Sequence, residues 1–185
     1  MAPVLEILHL VAPDKTPIAN NPRILSALRG VRRNLQAGVH DTDSRFYRQA
    51  DRPEHVYVFG QWESVAQHAA FTRSPARAEV LGPQEGVLGF VDVVHVRLAE
   101  GGIGGLLDGR GAVRLGWGVV VGGSSGGGGG KGGEGKEGLV ELKRCDEGFE
   151  QEVYVFDFSG NGDIGGADGR YRLAGQVELL DLESS

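Results

Sequence analysis

The sequence predicts an α+β protein whose first half runs β-α-β-β-α-β and whose second half is built from strands without helices. Three observations point there. Strand-length runs of apolar and β-branched residues alternate with two stretches of helical period between residues 4 and 98. Glycine divides the chain, with 6 in residues 1–100 and 26 in residues 101–185, so a helical pattern survives only in the first part. The tetrapeptide Val-Tyr-Val-Phe occurs at 56–59 and again at 153–156, each time in the third of four predicted strands.

Val4–Val11 has two mostly apolar faces, Val4/Glu6/Leu8/Leu10 and Leu5/Ile7/His9/Val11, as expected of a strand covered on both sides. Pro13 and Pro17 end it. Asn21 followed by Pro22 supplies a cap and a proline at the first helical position, and Ile24, Leu25, Leu28, Val31 and Leu35 recur at helical spacing until Gly38. Residues 44–50 and 54–62 read as strands separated by a turn at Asp51 and Pro53, the second rich in aromatic and β-branched residues. Ser64 caps a short helix over VAQHAAF that stops at Ser74-Pro75, and a further turn of helix follows over 76–81. Residues 89–98 alternate and close the unit as a strand, giving the ferredoxin-like split βαβ arrangement.

The second half offers strands at 112–121, 139–145, 152–158 and 171–182. Between the first two lies GGSSGGGGGKGGEGKEG at 122–138, in which 11 of 17 residues are glycine. Such a segment has little to bury and a large entropy cost on ordering, so a mobile loop is expected. Matched strand by strand, the glycine run stands where the first helix of the first half stands, and GNGDIGGADG where the second does. The chain is therefore read as two units, 1–100 and 101–185, the second a degenerate copy that either completes a pseudo-dimer within the chain or is an appendage to a first unit that pairs between two chains. The glycine-rich half is expected to contribute the fewest catalytic groups, since all five histidines lie before residue 101.

Charge narrows the function. Residues 1–100 carry 11 acidic and 11 basic side chains, and the net −6 comes from the second half. Without a basic tract the phosphate-neutralising contribution to nucleic-acid affinity is missing, so no nucleic-acid partner is expected. No apolar stretch approaches a membrane span, the start lacks a basic leader region, and Cys145 is the lone cysteine. A cytoplasmic protein without a membrane partner is expected.

Residues 54–75, EHVYVFGQWESVAQHAAFTRSP, resemble a segment of the antibiotic-biosynthesis-monooxygenase and stress-responsive dimeric α+β barrel proteins. There a strand ends in tryptophan and leads into a helix of the form S-x-x-x-H-x-x-F-x-x-S-P, matched here by Trp62, Ser64, His68, Phe71, Ser74 and Pro75. The resemblance covers about half the chain. It implies a barrel made from two four-stranded sheets, paired either in a homodimer or within one chain. It also implies secondary-metabolism chemistry such as cofactor-independent oxygenation of polyketide aromatics, or a cyclisation. For that chemistry the protein supplies a base, orientation and exclusion of water, and no cofactor or metal.

Histidine suits the base role because its ordinary pKa lies near operating pH. His9 and His95 are the candidate catalytic residues; the first and last strands of a ferredoxin-like unit are neighbours, so the two are expected to approach if register permits. Tyr57, Gln61 and Arg97 are expected to orient an aromatic substrate in the barrel cavity. Trp62 closes the cavity rim or packs under the helix, and His68 packs on its own helix beside the substrate.

Other motifs point to structure rather than chemistry. GNGDIG at 160–165 follows a strand but lacks the helix that a dinucleotide site needs, and GGGGGKGG lacks the hydroxyl residue of a phosphate loop. Asp157, Ser159, Asn161, Gly162, Asp163, Ile164 and Asp168 match the steps of a calcium loop, yet strands flank them, which favours a solvated acidic turn over calcium. No zinc spacing and no G-x-S-x-G occurs. Two functions remain: a small barrel enzyme acting on an aromatic or polyketide-like molecule, and a non-catalytic stress-response or ligand-binding barrel.

Overall fold

The computed structural model describes residues 3–39, 44–98, 112–119, 139–143, 145–146, 152–157, 171–180 and 182. The glycine run at 122–138, the 160–165 motif and the calcium-like loop beyond Asp157 lie outside the described residues.

Eight strands form one antiparallel sheet: β1 (Val4–Val11), β2 (Ser44–Gln49), β3 (His55–Trp62), β4 (Gly89–Arg97), β5 (Ala112–Val119), β6 (Leu139–Lys143), β7 (Glu152–Asp157) and β8 (Tyr171–Leu179). Their spatial order is β4-β1-β3-β2-β8-β5-β7-β6, so the order fourth, first, third, second of one half is repeated by the other. The two VYVF segments fall in β3 and β7, which hold equivalent places. The halves join where β2 pairs with β8, Tyr47 opposite Leu179 and Gln49 opposite Val177. At the other end of the order, just past β6, the Cys145 amide donates to the His95 carbonyl on β4 at 2.8 Å, so the sheet's two edges meet.

Three helices cover one face of the first half: α1 (Pro22–Asn34), α2 (Val65–Thr72) and α3 (Ala76–Leu81). The predicted caps are in place. Asn21 accepts from the Ile24 amide at 3.2 Å and Ser64 from the Gln67 amide at 3.1 Å. Each cap satisfies an otherwise orphaned donor and contributes about 1 kcal/mol. The apolar stripe of α1, Ile24, Leu28 and Val31, is fully buried against Leu10, Phe46, Val56 and Val58. Each such side chain contributes roughly 1.5–3 kcal/mol by leaving water. Asn34 ties α1 to the Glu79 carbonyl of α3, and Arg29 holds the Leu182 carbonyl at 3.1 Å. Gly30 is fixed by contact, since a Cβ there would stand 3.1 Å from the Pro83 ring.

The alternation of β1 and β3 sorts their side chains. Val4, Leu10, Val56, Val58 and Trp62 face the helices. Leu5, Ile7, Tyr47, Phe59, Val94 and Val96 form the opposite set and are buried without a described helix over them, with the Tyr47 and Phe59 rings 5.0 Å apart. Curling of the sheet on itself buries that face. An eight-stranded barrel of this kind has an interior that side chains fill.

Candidate functional site

The strand registers decide which polar groups meet. In the antiparallel pair of β1 and β4, Val4 stands opposite Arg97, Glu6 opposite His95 and Leu8 opposite Val93. Even positions of β1 therefore share a face with odd positions of β4. In the pair of β1 and β3, Glu6 stands opposite Gly60 and Val4 opposite Trp62, so even positions of β3 join the same face. Helix α2 crosses above them and brings down His68.

Glu6, on a strand flanked by β3 and β4, keeps 14% of its side-chain surface exposed. Its Oε2 accepts from Trp62 Nε1–H at 2.6 Å, and its Oε1 lies 3.4 Å from His68 Nε2. The other His68 nitrogen, Nδ1, is 2.7 Å from His95 Nε2, and His95 Nδ1 is 2.7 Å from Asp146 Oδ1. The second oxygen of Asp146 accepts from the His95 amide at 2.9 Å. Trp62 packs on His68 and Phe71 with ring centroids 4.7 and 5.2 Å apart, which holds the imidazole in place.

Burial pushes the Glu6 carboxyl up from 4.5 to about 7, against the lowering effect of the Trp62 bond. Burial also pulls His68 down to about 4, helped by the neighbouring His95 and opposed by Asp146. At neutral pH, then, His68 is an uncharged ring that donates from one nitrogen and accepts at the other, beside a carboxyl near its midpoint.

A cavity of about 40 Å³ opens beside this pair, with Glu6, Trp62 and His68 on one side and Leu8, Val31, Leu35, Val58 and Leu81 among its apolar walls. Two further wall residues, Ser44 and Gln84, are more than nine-tenths buried. The Ser44 Oγ and Gln84 Oε1 atoms have no hydrogen-bond partner among the described residues. Buried polar atoms are almost always paired, so these two are the wall atoms with hydrogen-bonding capacity to offer a molecule in the cavity.

The predicted residues divide between two places. His68 and Trp62 line the cavity, and His95 bonds to His68 from behind. His9, Tyr57 and Gln61 lie on the other face of the sheet. His9 stacks on Tyr57 at 4.3 Å, and its Nε2 is 2.7 Å from His55 Nδ1. Burial, then His55 and Arg52, lower His9 to about 4, and burial raises Tyr57 to about 12. The expected approach of His9 and His95 does not occur: β4 places Asp92 opposite His9, and the register sends the two rings to opposite faces. Arg97 lies on the His95 face, away from Tyr57 and Gln61, and is exposed, so it does not reach into the barrel beside them.

Sequence reasoning missed Glu6 and Asp146. An acidic residue inside a strand with two apolar faces is a signal for the first. Asp146 carries no such local signal, and its place in the half expected to contribute the fewest catalytic groups is visible only in the fold.

No family model and no curated protein sequence matches this chain. Solved structures do resemble it. A proposed chlorite dismutase superposes with a TM-score of 0.58 at 8% identity, over 98% of this chain and 96% of that one. A proposed monooxygenase from Lactobacillus acidophilus gives 0.51 at 10% identity, over 98% and 94%. A heme-binding protein from Thermus thermophilus gives 0.52 at 9% identity, over 98% and 92%. These likenesses establish the fold, that of the dimeric α+β barrels. Among the described residues no helix is long and apolar enough to cross a membrane.

Proposed function

We propose that this protein is a small α+β barrel enzyme of the acid–base kind, which moves a proton to or from a small molecule held in the cavity beside Glu6 and His68. The observation that carries this reading is the Glu6–His68 pair itself: a carboxyl raised to about 7 and a neutral imidazole 3.4 Å away, on the wall of a cavity with two unpaired polar atoms. Acid–base groups tuned towards neutrality by burial are what such catalysis needs.

Within that class we favour cofactor-independent oxygenation of an aromatic or polyketide-like substrate. The chemistry asks for a base, fixed orientation and a dry surround, and the cavity's aliphatic and aromatic walls supply the last. The base then sits between sheet and helices rather than inside the barrel. A cavity of about 40 Å³ accepts the few atoms of a reacting group rather than a whole fused ring. Oxygen uptake with an anthrone-type substrate tests the reading. The wild type is expected to consume oxygen and Glu6→Gln to lose about 100-fold or more in rate. No uptake by the wild type excludes oxygenation of anthrone-type substrates, and an unchanged rate in Glu6→Gln excludes Glu6 as the base.

Haem, which the Thermus protein's name assigns to it, does not fit the cavity beside Glu6 and His68. That cavity is far smaller than the macrocycle, and the His68 ring on its wall faces partners through both nitrogens.

The small cavity and the close-packed described part of the inner face favour a second reading, a non-catalytic stress-response or ligand-binding barrel. That reading expects saturable binding without turnover. On either reading we take the chain as an intramolecular pseudo-dimer, because one chain supplies both copies of the four-strand order. A monomer in light scattering is the expected result, and a dimer would show that the barrel pairs between chains as well.

A further inference from the structure

Glu6, His68, His95 and Asp146 form a line of acid–base groups that starts at the cavity and ends where the two edges of the sheet meet. Its steps are 3.4, 2.7 and 2.7 Å. Exposure rises along the last step, from 8% for the His95 side chain to 20% for that of Asp146. We propose that this line is a proton relay between cavity and solvent, and that Asp146, from the second half of the chain, is the positioning residue that orients it and gives the proton its exit. The proposal rests on the acid–base reading of the cavity.

Hydrogen-bond capacity fixes the polarity of the line. The Asp146 carboxylate only accepts, so His95 Nδ1 carries a proton towards it. A neutral His95 then accepts at Nε2, which obliges His68 to donate from Nδ1 and to accept at Nε2. The donor left for His68 Nε2 is protonated Glu6, whose other oxygen is already taken by Trp62. The His68–His95 and His95–Asp146 bonds are then satisfied, and the proton of Glu6 faces His68 Nε2 across 3.4 Å.

A second arrangement has the same charge. The Glu6 proton passes to His68 Nε2, the His68 Nδ1 proton passes to His95 Nε2, and His95 becomes an imidazolium against Asp146. Each hop breaks one O–H or N–H bond and forms another, and no electrons change hands. The result is a carboxylate at the cavity, ready to take a substrate proton, while the imidazolium gives its proton through Asp146 to water. One pass delivers one substrate proton to solvent and leaves both imidazoles in the opposite tautomer, so rotation of the two rings is needed to restore the starting arrangement before the next pass.

Among the described residues, three other groups near this face lead elsewhere. Cys145 packs at the edge of the helix-side core, Arg97 is exposed at the end of β4, and Arg48 is paired with Glu178 at 2.6 Å. A purely structural Asp146, clamping the His95 ring and amide, would affect stability and leave Glu6 unchanged.

The test uses the full chain labelled with ¹⁵N, followed through the Trp62 Nε1–H resonance, which reports the protonation of Glu6 across their hydrogen bond. In the wild type this resonance is expected to titrate with a midpoint of about 7. Asp146→Asn removes the charge that holds the relayed proton, and the midpoint is expected to fall by roughly half a pH unit or more. In the His68→Phe background, where the line is cut, Asp146→Asn should leave the midpoint unmoved, a non-additivity that measures coupling through the ring. Asp146→Glu should restore the wild-type midpoint. A midpoint insensitive to Asp146→Asn, or equally sensitive with and without His68, overturns the relay. Should Asp146→Asn fail to fold, Asp146→Ser read through the same Trp62 resonance answers the same question, and a midpoint equal to that of the wild type overturns the proposal. None of these measurements needs turnover, so an inactive wild type would remove the enzyme reading and leave the relay standing.

Discussion

His95 and Asp146 lie 51 positions apart, one on β4 and the other just past β6, yet His95 Nδ1 is 2.7 Å from Asp146 Oδ1 and the His95 amide donates to Asp146 Oδ2 at 2.9 Å. One carboxylate thus holds both the ring and the backbone of a buried histidine at the seam between the two halves.

Asp146→Ala is expected to destabilise the fold by about 1–3 kcal/mol, because it leaves a buried ring nitrogen and a buried amide without partners. Urea unfolding checks this, with the midpoint falling at unchanged slope. Unaltered stability would mean that water replaces the carboxylate at the seam.

The buried titratable groups oppose one another with pH. Glu6 is raised from 4.5 to about 7, so the folded state holds its proton more tightly than the unfolded state, and this contribution to stability is lost as pH rises from about 4.5 to 7. His68 and His9 are lowered from 6.5 to about 4, so theirs is present above 6.5 and lost as pH falls towards 4. Glu6→Gln removes the opposing member. Its stability should therefore fall more steeply than that of the wild type between pH 6.5 and 4, as measured by urea titrations across that window. Equal slopes would show that Glu6 keeps an ordinary pKa in the fold.

Trp62→Phe keeps the ring that packs on His68 and deletes the donor to Glu6 Oε2. Since that bond favours the ionised carboxylate, its loss should move the Glu6 midpoint above 7. Carbon-13 NMR of the Glu6 carboxyl reads the shift directly, and a fall or no change would contradict the bond.

Ser44→Ala distinguishes a dry cavity from a filled one. If Ser44 Oγ is unpaired in the free protein, removing it should stabilise the fold by about 1 kcal/mol. If water or a small molecule occupies the cavity and bonds to the hydroxyl, the same substitution should destabilise it instead. Thermal unfolding with and without candidate ligands separates the two.

Much of this architecture is legible locally. Asn21 and Ser64 cap the helices they are expected to cap, and α3 falls over 76–81 as its pattern predicts. The helix of Ile24, Leu28 and Val31 runs to Asn34 and then widens into a π-turn over Leu35–Val39, reaching the predicted Gly38. These features depend on neighbours within a few residues, where capping and periodicity act. The site was legible only in part. Trp62 and His68 came from a motif on contiguous elements, whereas the pairing of His9 with His55 and of His95 with His68 depends on strands far apart in the chain.

Local sequence specifies the strands and helices of residues 4–98 and their alternation. It also determined that two VYVF strands hold equivalent places, because a repeated strand pattern carries its pairing preferences with it. Which alternate set of β4 shares a face with which set of β1 is set by long-range strand pairing. A one-residue change of register would send His95 to the side of His9 and separate it from His68. That register is fixed by the combined packing of helices on one face and the far wall of the sheet on the other, which no short segment encodes. The same closure brings Asp146 from the glycine-rich half to His95, and so gives that half a group in the site.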